Sequence, residues 1–153
     1  VGTVGVIKPK PNLINVVAGD VKLTVDLRNV DEEKLKQSEK LFEDALSDIA
    51  ELEGVEISTE TLARFEPVKF DDRVACVITQ AANELGLSNK RMNSGAGHDA
   101  QMMARICPTA MIFVPSRDGI SHNPKEHTDE HYLKSGAEVL LKTVQKIDGG
   151  TVL

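Results

Sequence analysis

Residues 109–114 read Thr-Ala-Met-Ile-Phe-Val, an unbroken apolar run of strand length in the second half of the chain. A continuous run of this kind is typical of a strand that is covered on both faces, as in a parallel sheet flanked by helices. The stretch therefore predicts an α/β fold with this strand near its centre.

Amphipathic helices are predicted before and after this strand along the chain. Residues 72–85 repeat apolar side chains with helical spacing and end at Gly86, residues 100–106 favour a short helix, and residues 130–147 close the chain. The last helix has five apolar residues that we expect to face a core: Leu133, Ala137, Leu140, Leu141 and Val144. Residues 115–128 form a loop between the strand and this helix.

The first third of the chain predicts a separate ββαβ layer. Residues 1–7 and 21–28 have strand patterns, whereas Pro9 and Pro11 predict a loop over residues 8–12. A helix begins after Asp31 and ends at Gly54, and residues 55–62 alternate as a further strand. Because the pattern changes at Glu66-Pro67, we divide the chain into residues 1–66 and residues 67–153.

Composition excludes several classes of function. The chain has 18 Lys and Arg against 24 Asp and Glu, so a nucleic-acid-binding face is not expected. No apolar run reaches the roughly 18 residues of a membrane helix. Cys76 and Cys107 predict two buried thiols in a reducing compartment. Since no secretory signal opens the sequence, we expect a cytoplasmic protein.

Two polar loops are candidate sites. Residues 94–99 (SGAGHD) precede a helix, where glycine lets backbone N–H groups approach a ligand; a tight turn capped by Ser94 or Asp99 is an equal alternative. His122 follows the apolar strand, beside the rigid Asn123-Pro124 pair, where α/β sheets commonly place sites. A solvated loop histidine is the competing interpretation.

Taken together, five stretches resemble the amidase/hydantoinase/carbamoylase family of two-metal zinc-dependent hydrolases. They are residues 12–19 (NLINVVAG), 23–28 (LTVDLR), 94–100 (SGAGHDA), 111–116 (MIFVPS) and 119–126 (GISHNPKE). That family includes N-carbamoyl-L-amino-acid hydrolases and allantoate amidohydrolases. The resemblance extends over residues 1–147, in the family's order, and covers only the C-terminal portion of such an enzyme.

The resemblance assigns roles to five residues. His122 corresponds to a metal ligand, and His98 to the active-site histidine that helps to orient or polarise the substrate. Gly97 offers a backbone contact to substrate, while Asn15 and Arg28 bind the substrate carboxylate from a lid. For Arg28 the alternative is a surface cation paired with Asp26 or Asp31, and for Asn15 a turn residue.

The same resemblance implies the fold and the cofactors. Residues 1–66 correspond to a partial ferredoxin-like lid that pairs as a homodimer, and residues 67–153 to the C-terminal piece of a zinc-aminopeptidase-like αβα catalytic domain. Two divalent metal ions, zinc or manganese, are implied, with their other ligands and the general base in a missing N-terminal segment. Catalytic zinc usually has three protein ligands, so we expect the isolated chain to be inactive.

The expected activity is hydrolysis of the carbamoyl or ureido C–N bond of a small ureido acid. An aminoacylase or peptidase of the same fold is the nearest alternative. A non-enzymatic dimerisation module, pairing through its sheet edge, is an alternative of a different class.

Overall fold

The computed structural model describes residues 1–150, which lie in two compact units, Val1–Pro67 and Val68–Leu153. Together the described residues form a two-stranded sheet, four α-helices and one 3-10 turn. This confirms the α/β composition that the sequence predicts. Within the same residues, no helix has the length and apolar character needed to cross a membrane.

The first unit opens with a β-hairpin. Strands β1 (Gly2–Lys10) and β2 (Asp20–Leu27) are antiparallel, with a bulge between Val4 and Val6. The predicted loop over residues 8–12 is wrong in its first part, because Pro9 pairs with Val21 inside the ladder. Both strands of a two-stranded sheet are edges, where a residue without an N–H is tolerated.

Helix α1 (Glu32–Glu53) begins and ends where its caps predict. The Asp31 Oδ1 accepts the N–H groups of Glu33 at 3.0 Å and Lys34 at 3.1 Å. Gly54 ends the helix with φ +64°, a left-handed conformation that favours glycine. These local interactions explain why the boundaries of this helix can be predicted from sequence.

The strand predicted over residues 55–62 does not form among the described residues, so the first unit is ββα and not ββαβ. Arg64 instead holds this segment against α1. Its guanidinium lies 2.9 Å from Glu32 Oε1 and 3.0 Å from Glu39 Oε1. A strand needs a second strand to complete its backbone hydrogen bonds, and within residues 1–150 no strand pairs with this segment.

The second unit is built around two packed helices, α2 (Asp72–Glu84) and α4 (Glu130–Asp148). Ala81 and Ala82 of α2 are buried against Val139 of α4. The short helix α3 (Ala100–Met103) is followed by turns up to residue 106, so the predicted helix over residues 100–106 is only partly regular. A 3-10 turn spans Arg117–Gly119.

The apolar run at residues 109–114 lies against these helices but is not a strand in the described structure. A Cβ added at Gly136 would lie 2.6 Å from Val114 Cγ1, so glycine is what lets the run approach α4 this closely. Ile112 packs on the Ala81–Val139 cluster. As with residues 55–62, no neighbouring strand is present among the described residues to form a ladder.

The predicted core face of α4 is not covered. Leu133, Leu140, Leu141 and Val144 are each more than half exposed, while Val139 and Thr143 are buried instead. An open apolar cavity of about 580 Å³ lies between α2, α4 and residues 108–114. Cys76 and Cys107 are likewise exposed free thiols, so the prediction that they are buried is wrong here. The apolar face predicted for α4 therefore stays more than half exposed in the described structure.

An ion cluster joins the ends of α2 and α4 and predicts a pH-dependent stability. Glu84 lies 2.6 Å from Lys146 Nζ and 3.0 Å from Lys142 Nζ. Hydrogen bonds from Lys146 and then Lys142 lower the pKa of the Glu84 carboxyl. Because the folded-state pKa is depressed, this stabilisation is present above the ordinary glutamate pKa and is lost as pH falls through the folded-state value.

We expect Glu84→Gln to lower the Tm of the polypeptide by roughly 1–2 °C at pH 7, the size expected of exposed ion pairs, and to have a smaller effect at pH 3, where part of the wild-type stabilisation is lost. Thermal unfolding followed by circular dichroism at both pH values measures this. Glu138→Gln, which removes a 3.8 Å contact with Lys134 within α4 alone, is the matched control. A Glu84→Gln deficit of equal size at both pH values would contradict the linkage.

Candidate functional site

The glycine-containing loop before α3 has an ordered turn and open space at its glycines. Ser94 Oγ accepts the N–H of Ala96 at 3.1 Å, so the turn capped by Ser94 is present. Asp99 makes no side-chain cap to α3. At Gly97 the backbone has no positive φ, and nothing lies within 4 Å of where a Cβ would stand. Within the described residues, neither a left-handed backbone nor a close neighbouring atom explains why residue 97 is glycine.

The imidazole of His98 is oriented by the backbone of α3. Its Nδ1 accepts the N–H of Ala100 at 3.0 Å. A neutral histidine whose Nδ1 accepts carries its proton on Nε2, which is then the donor. The side chain is exposed. His98 therefore presents an N–H donor from a fixed ring, which is what polarising a carbonyl oxygen requires.

His122 lies in the loop between residues 115 and 129 with an unusual backbone. Its φ is +55°, in the left-handed region that non-glycine residues rarely adopt. The His122 N–H donates to Glu126 Oε2 at 2.8 Å. The side chain is exposed. Strained backbone of this kind is concentrated at functional sites, where surrounding contacts hold it.

The ends of this loop are joined to each other. The Arg117 N–H donates to the His127 carbonyl at 2.8 Å, and the Arg117 guanidinium lies 2.6 Å from Asp129 Oδ1. A hydrogen bond from Arg117 lowers the pKa of the Asp129 carboxyl. The sequence did not predict these contacts or the hydrogen bond between Glu126 and His122. The only signal for the latter was Asn123-Pro124, a turn that can bring residue 126 back to residue 122.

Arg28 follows β2 and already binds a carboxylate of its own strand. Its Nε lies 3.0 Å from both carboxylate oxygens of Asp26, and its Nη2 lies 2.5 Å from Asp26 Oδ2. The hydrogen bond from Arg28 lowers the pKa of Asp26, and that from Asp26 raises the pKa of Arg28. The surface ion pair considered as the alternative is thus the arrangement in this structure, with both side chains about half exposed.

Asn15 is exposed in the connection between β1 and β2. Arg28 lies beyond the other end of the ladder, since Lys10 pairs with Asp20 next to this connection and Gly2 pairs with Leu27 at the far end. The seven residue steps from Asp20 to Leu27 span about 23 Å. The hairpin therefore places Asn15 and Arg28 at opposite ends of its ladder.

The described residues do not contain a complete metal site. Across residues 1–150, no three His, Cys, Asp or Glu side chains are grouped so that they could hold an ion. His127 Nε2 contacts Asp129 Oδ1 at 3.2 Å, and the ring centroids of His131 and Tyr132 are 3.9 Å apart. An exposed imidazole on a fixed backbone suits one ligand of a site completed by residues outside this part of the chain.

Comparison with known proteins decides the family. A family model described as "Peptidase family M20/M25/M40" matches residues 2–146. The chain belongs to peptidase family M20/M25/M40. The match includes all five residues to which the sequence assigned roles.

Several proteins similar to this M20-family chain are named as amidohydrolases. An N-carbamoyl-L-amino-acid amidohydrolase of Rhizobium meliloti is 40% identical over 94% of this chain and 35% of that protein. The allantoate amidohydrolase of Bacillus subtilis is 37% identical over 95% of this chain and 35% of that protein. A solved amidase of the hydantoinase/carbamoylase family from Burkholderia multivorans has a TM-score of 0.87 at 38% identity, covering 94% of this chain and 35% of that one.

These findings confirm the resemblance on which the sequence analysis relied. The M20-family chain spans about 35% of the length of the relatives it matches, which also confirms that it corresponds to only a portion of such an enzyme.

Proposed function

We propose that this chain is the C-terminal part of a metal-dependent amidohydrolase that cleaves the carbamoyl or ureido C–N bond of N-carbamoyl-amino acids or allantoate-like ureido acids. The observation that carries the proposal is the similarity of nearly the whole chain to two enzymes named for such substrates. The local geometry of His98 and His122 supports it.

His98 is proposed to stabilise the charge that develops on the ureido oxygen during attack. Its Nδ1 is occupied by the Ala100 N–H, so the proton stays on Nε2 and is available to the substrate. A preformed donor stabilises an oxyanion without reorganisation during the reaction. Gly97, beside it, leaves room for the substrate to approach its backbone.

His122 is proposed to supply one ligand to a pair of divalent metal ions, zinc or manganese. The exposed imidazole fits that role, and the other ligands and the general base belong to the part of the enzyme that precedes this chain. The chemistry that the metals supply when bound is Lewis-acid activation of the ureido carbonyl and of the attacking water.

Arg28 and Asn15 are proposed to bind the carboxylate of the substrate. A guanidinium grips a carboxylate through two parallel hydrogen bonds, and Arg28 already makes this kind of contact with Asp26. A substrate carboxylate therefore replaces or shares the Asp26 contact. Because the two residues lie at opposite ends of the hairpin ladder, we propose that they reach one substrate carboxylate from different subunits of a homodimer.

For the complete enzyme, we expect Arg28→Ala to lower kcat/KM for ureido acids by about 10- to 100-fold, mostly through KM, because it removes a charge-assisted pair. Arg28→Lys should recover little, since an ammonium cannot make the bidentate contact. Steady-state kinetics of ammonia release measure this. Matching amide substrates, which lack the carboxylate, are the control; an equal loss on acid and amide would contradict the assignment.

The apolar face of the second unit is proposed to be covered by the missing N-terminal part of the catalytic domain. The chain exposes 12236 Å² of surface. Two separate globular domains of half its mass would expose about 9,100 Å² in total. The excess, about 3,000 Å², belongs to the whole chain, and the exposed apolar face of the second unit contributes to it. It is more than a standard protein–protein interface buries on both partners, so an integral part of the same domain is the better occupant.

Further assignments complete the proposal. The hairpin with α1, residues 1–66, is taken as the partial ferredoxin-like lid, whose unpaired strand edges suit a homodimer. Residues 67–153 are taken as the C-terminal piece of the αβα catalytic domain. Two free thiols suit a reducing compartment, and we place the enzyme in the cytoplasm.

The test compares the isolated chain with the full-length hydrolase that contains it, each supplied with zinc or manganese. We expect the full-length enzyme to release ammonia from N-carbamoyl-amino acids or allantoate and the isolated chain to be inactive. Faster turnover of N-acetyl-amino acids would favour the aminoacylase alternative. Turnover by the isolated chain would overturn the proposed division of the site.

A further inference from the structure

His122 adopts a backbone conformation that needs support from its surroundings. Its φ of +55° brings the Cβ of a non-glycine residue close to its own carbonyl, which disfavours this conformation in a free chain. The conformation persists only where other contacts hold it. Since the backbone sets the direction of the side chain, whatever holds this φ also sets the direction of the imidazole.

The Glu126 side chain makes the contact that holds it. Glu126 Oε2 accepts the His122 N–H at 2.8 Å, four residues back along the chain. The Glu126 N–H in turn donates to the Asn123 carbonyl at 2.9 Å, and Asn123 Oδ1 accepts the Lys125 N–H at 2.9 Å. The turn that follows His122 thus returns Glu126 to it, and an ionised acceptor makes the stronger kind of hydrogen bond.

We propose that Glu126 is the positioning residue for His122: its carboxylate holds the left-handed backbone of His122 and so aims the imidazole for metal binding. This rests on the proposed role of His122 as a metal ligand. Neither the family comparison nor the sequence assigns Glu126 a role. The Arg117–Asp129 ion pair joins the two ends of the loop and does not involve His122. The hydrogen bond of Glu126 is made directly to the His122 backbone.

The first experiment measures, without metal, how well the backbone amide of His122 is protected from hydrogen exchange. In the full-length hydrolase labelled with ¹⁵N-histidine, hydrogen exchange of the His122 amide is compared between wild type, Glu126→Ala and Glu126→Gln. We expect exchange in Glu126→Ala to be about 10-fold faster or more, with a smaller change in Glu126→Gln, because the amide oxygen still accepts a hydrogen bond. Lys125→Ala, whose side chain makes no described contact in the turn, is the matched control. Equal exchange in Glu126→Ala and wild type would overturn the proposal.

The second experiment reads zinc affinity by competition with a chelator. Residues that orient a ligand typically contribute 10- to 100-fold to metal affinity, so we expect a loss of that size in Glu126→Ala and a loss of less than 10-fold in Glu126→Gln. Faster His122 exchange without a loss of zinc affinity would overturn the positioning role. His122→Ala separates the two proposals: if it binds zinc as wild type does, the ligand assignment fails, while the exchange data still decide whether Glu126 holds His122.

Discussion

Replacing His122 by alanine in the full-length enzyme is expected to remove one metal ion per subunit and to lower kcat/KM on the order of a thousandfold. A metal ion contributes several kcal/mol to stabilising the transition state, and about 4 kcal/mol corresponds to this factor. The loss should appear mainly in kcat, because the proposed carboxylate contacts of the lid are retained. Metal content by mass spectrometry and steady-state kinetics on the same sample measure both effects.

His127→Ala is the matched control for this prediction. His127 lies in the same loop, but its Nε2 contacts Asp129 at 3.2 Å in an exposed pair. We expect its metal content to be unchanged and its activity to fall by less than a few-fold, in line with the small contribution of exposed pairs. A His122→Ala enzyme with full metal content and full activity would contradict the assignment of His122.

Replacing His98 by alanine is expected to lower kcat by about 10²- to 10³-fold while metal content stays at the wild-type level. This is the effect of removing one preformed oxyanion donor. The reason is geometric, since the Ala100 N–H occupies Nδ1 and leaves Nε2–H as the donor. Kinetics on an N-carbamoyl-amino acid, with metal analysis alongside, measure it.

His98→Gln provides the comparison, because its side-chain amide also carries an N–H donor and should recover part of the rate. A loss of metal in His98→Ala would instead make His98 a ligand. A change confined to KM would show that His98 binds the substrate and the transition state equally and does not act specifically on the transition state.

The helices and the hairpin could be predicted because their signals are local. Asp31 and Gly54 mark the ends of α1 by contacts within a few residues of the helix. The alternation along residues 21–28 predicts β2, which spans Asp20–Leu27. The motif of residues 94–100 likewise predicts a loop before a helix, which the structure contains.

The strands at residues 55–62 and 109–114 could not be settled in the same way. Both have strand patterns, yet a strand forms only when another strand completes its hydrogen bonds. No described strand pairs with either segment. The apolar face of α4 from Leu133 to Val144 is predicted to be core, but it is exposed among the described residues. Whether an apolar face is buried depends on which residues pack opposite it. The apolar spacing of the helix itself carries no information about those residues.

For this protein, the sequence alone determined the α/β composition, the ends of the three long helices, the resemblance to a family and the identity of the residues in the two loops. Only the tertiary structure decided that His98 presents Nε2, that Arg28 is bound to Asp26, and that Glu126 holds His122 at a positive φ. The physical reason is that residue type and spacing encode local backbone preference and apolar periodicity. The tautomer of a ring and the partner of a charge depend on distances of a few ångströms, which exist only after the chain has folded.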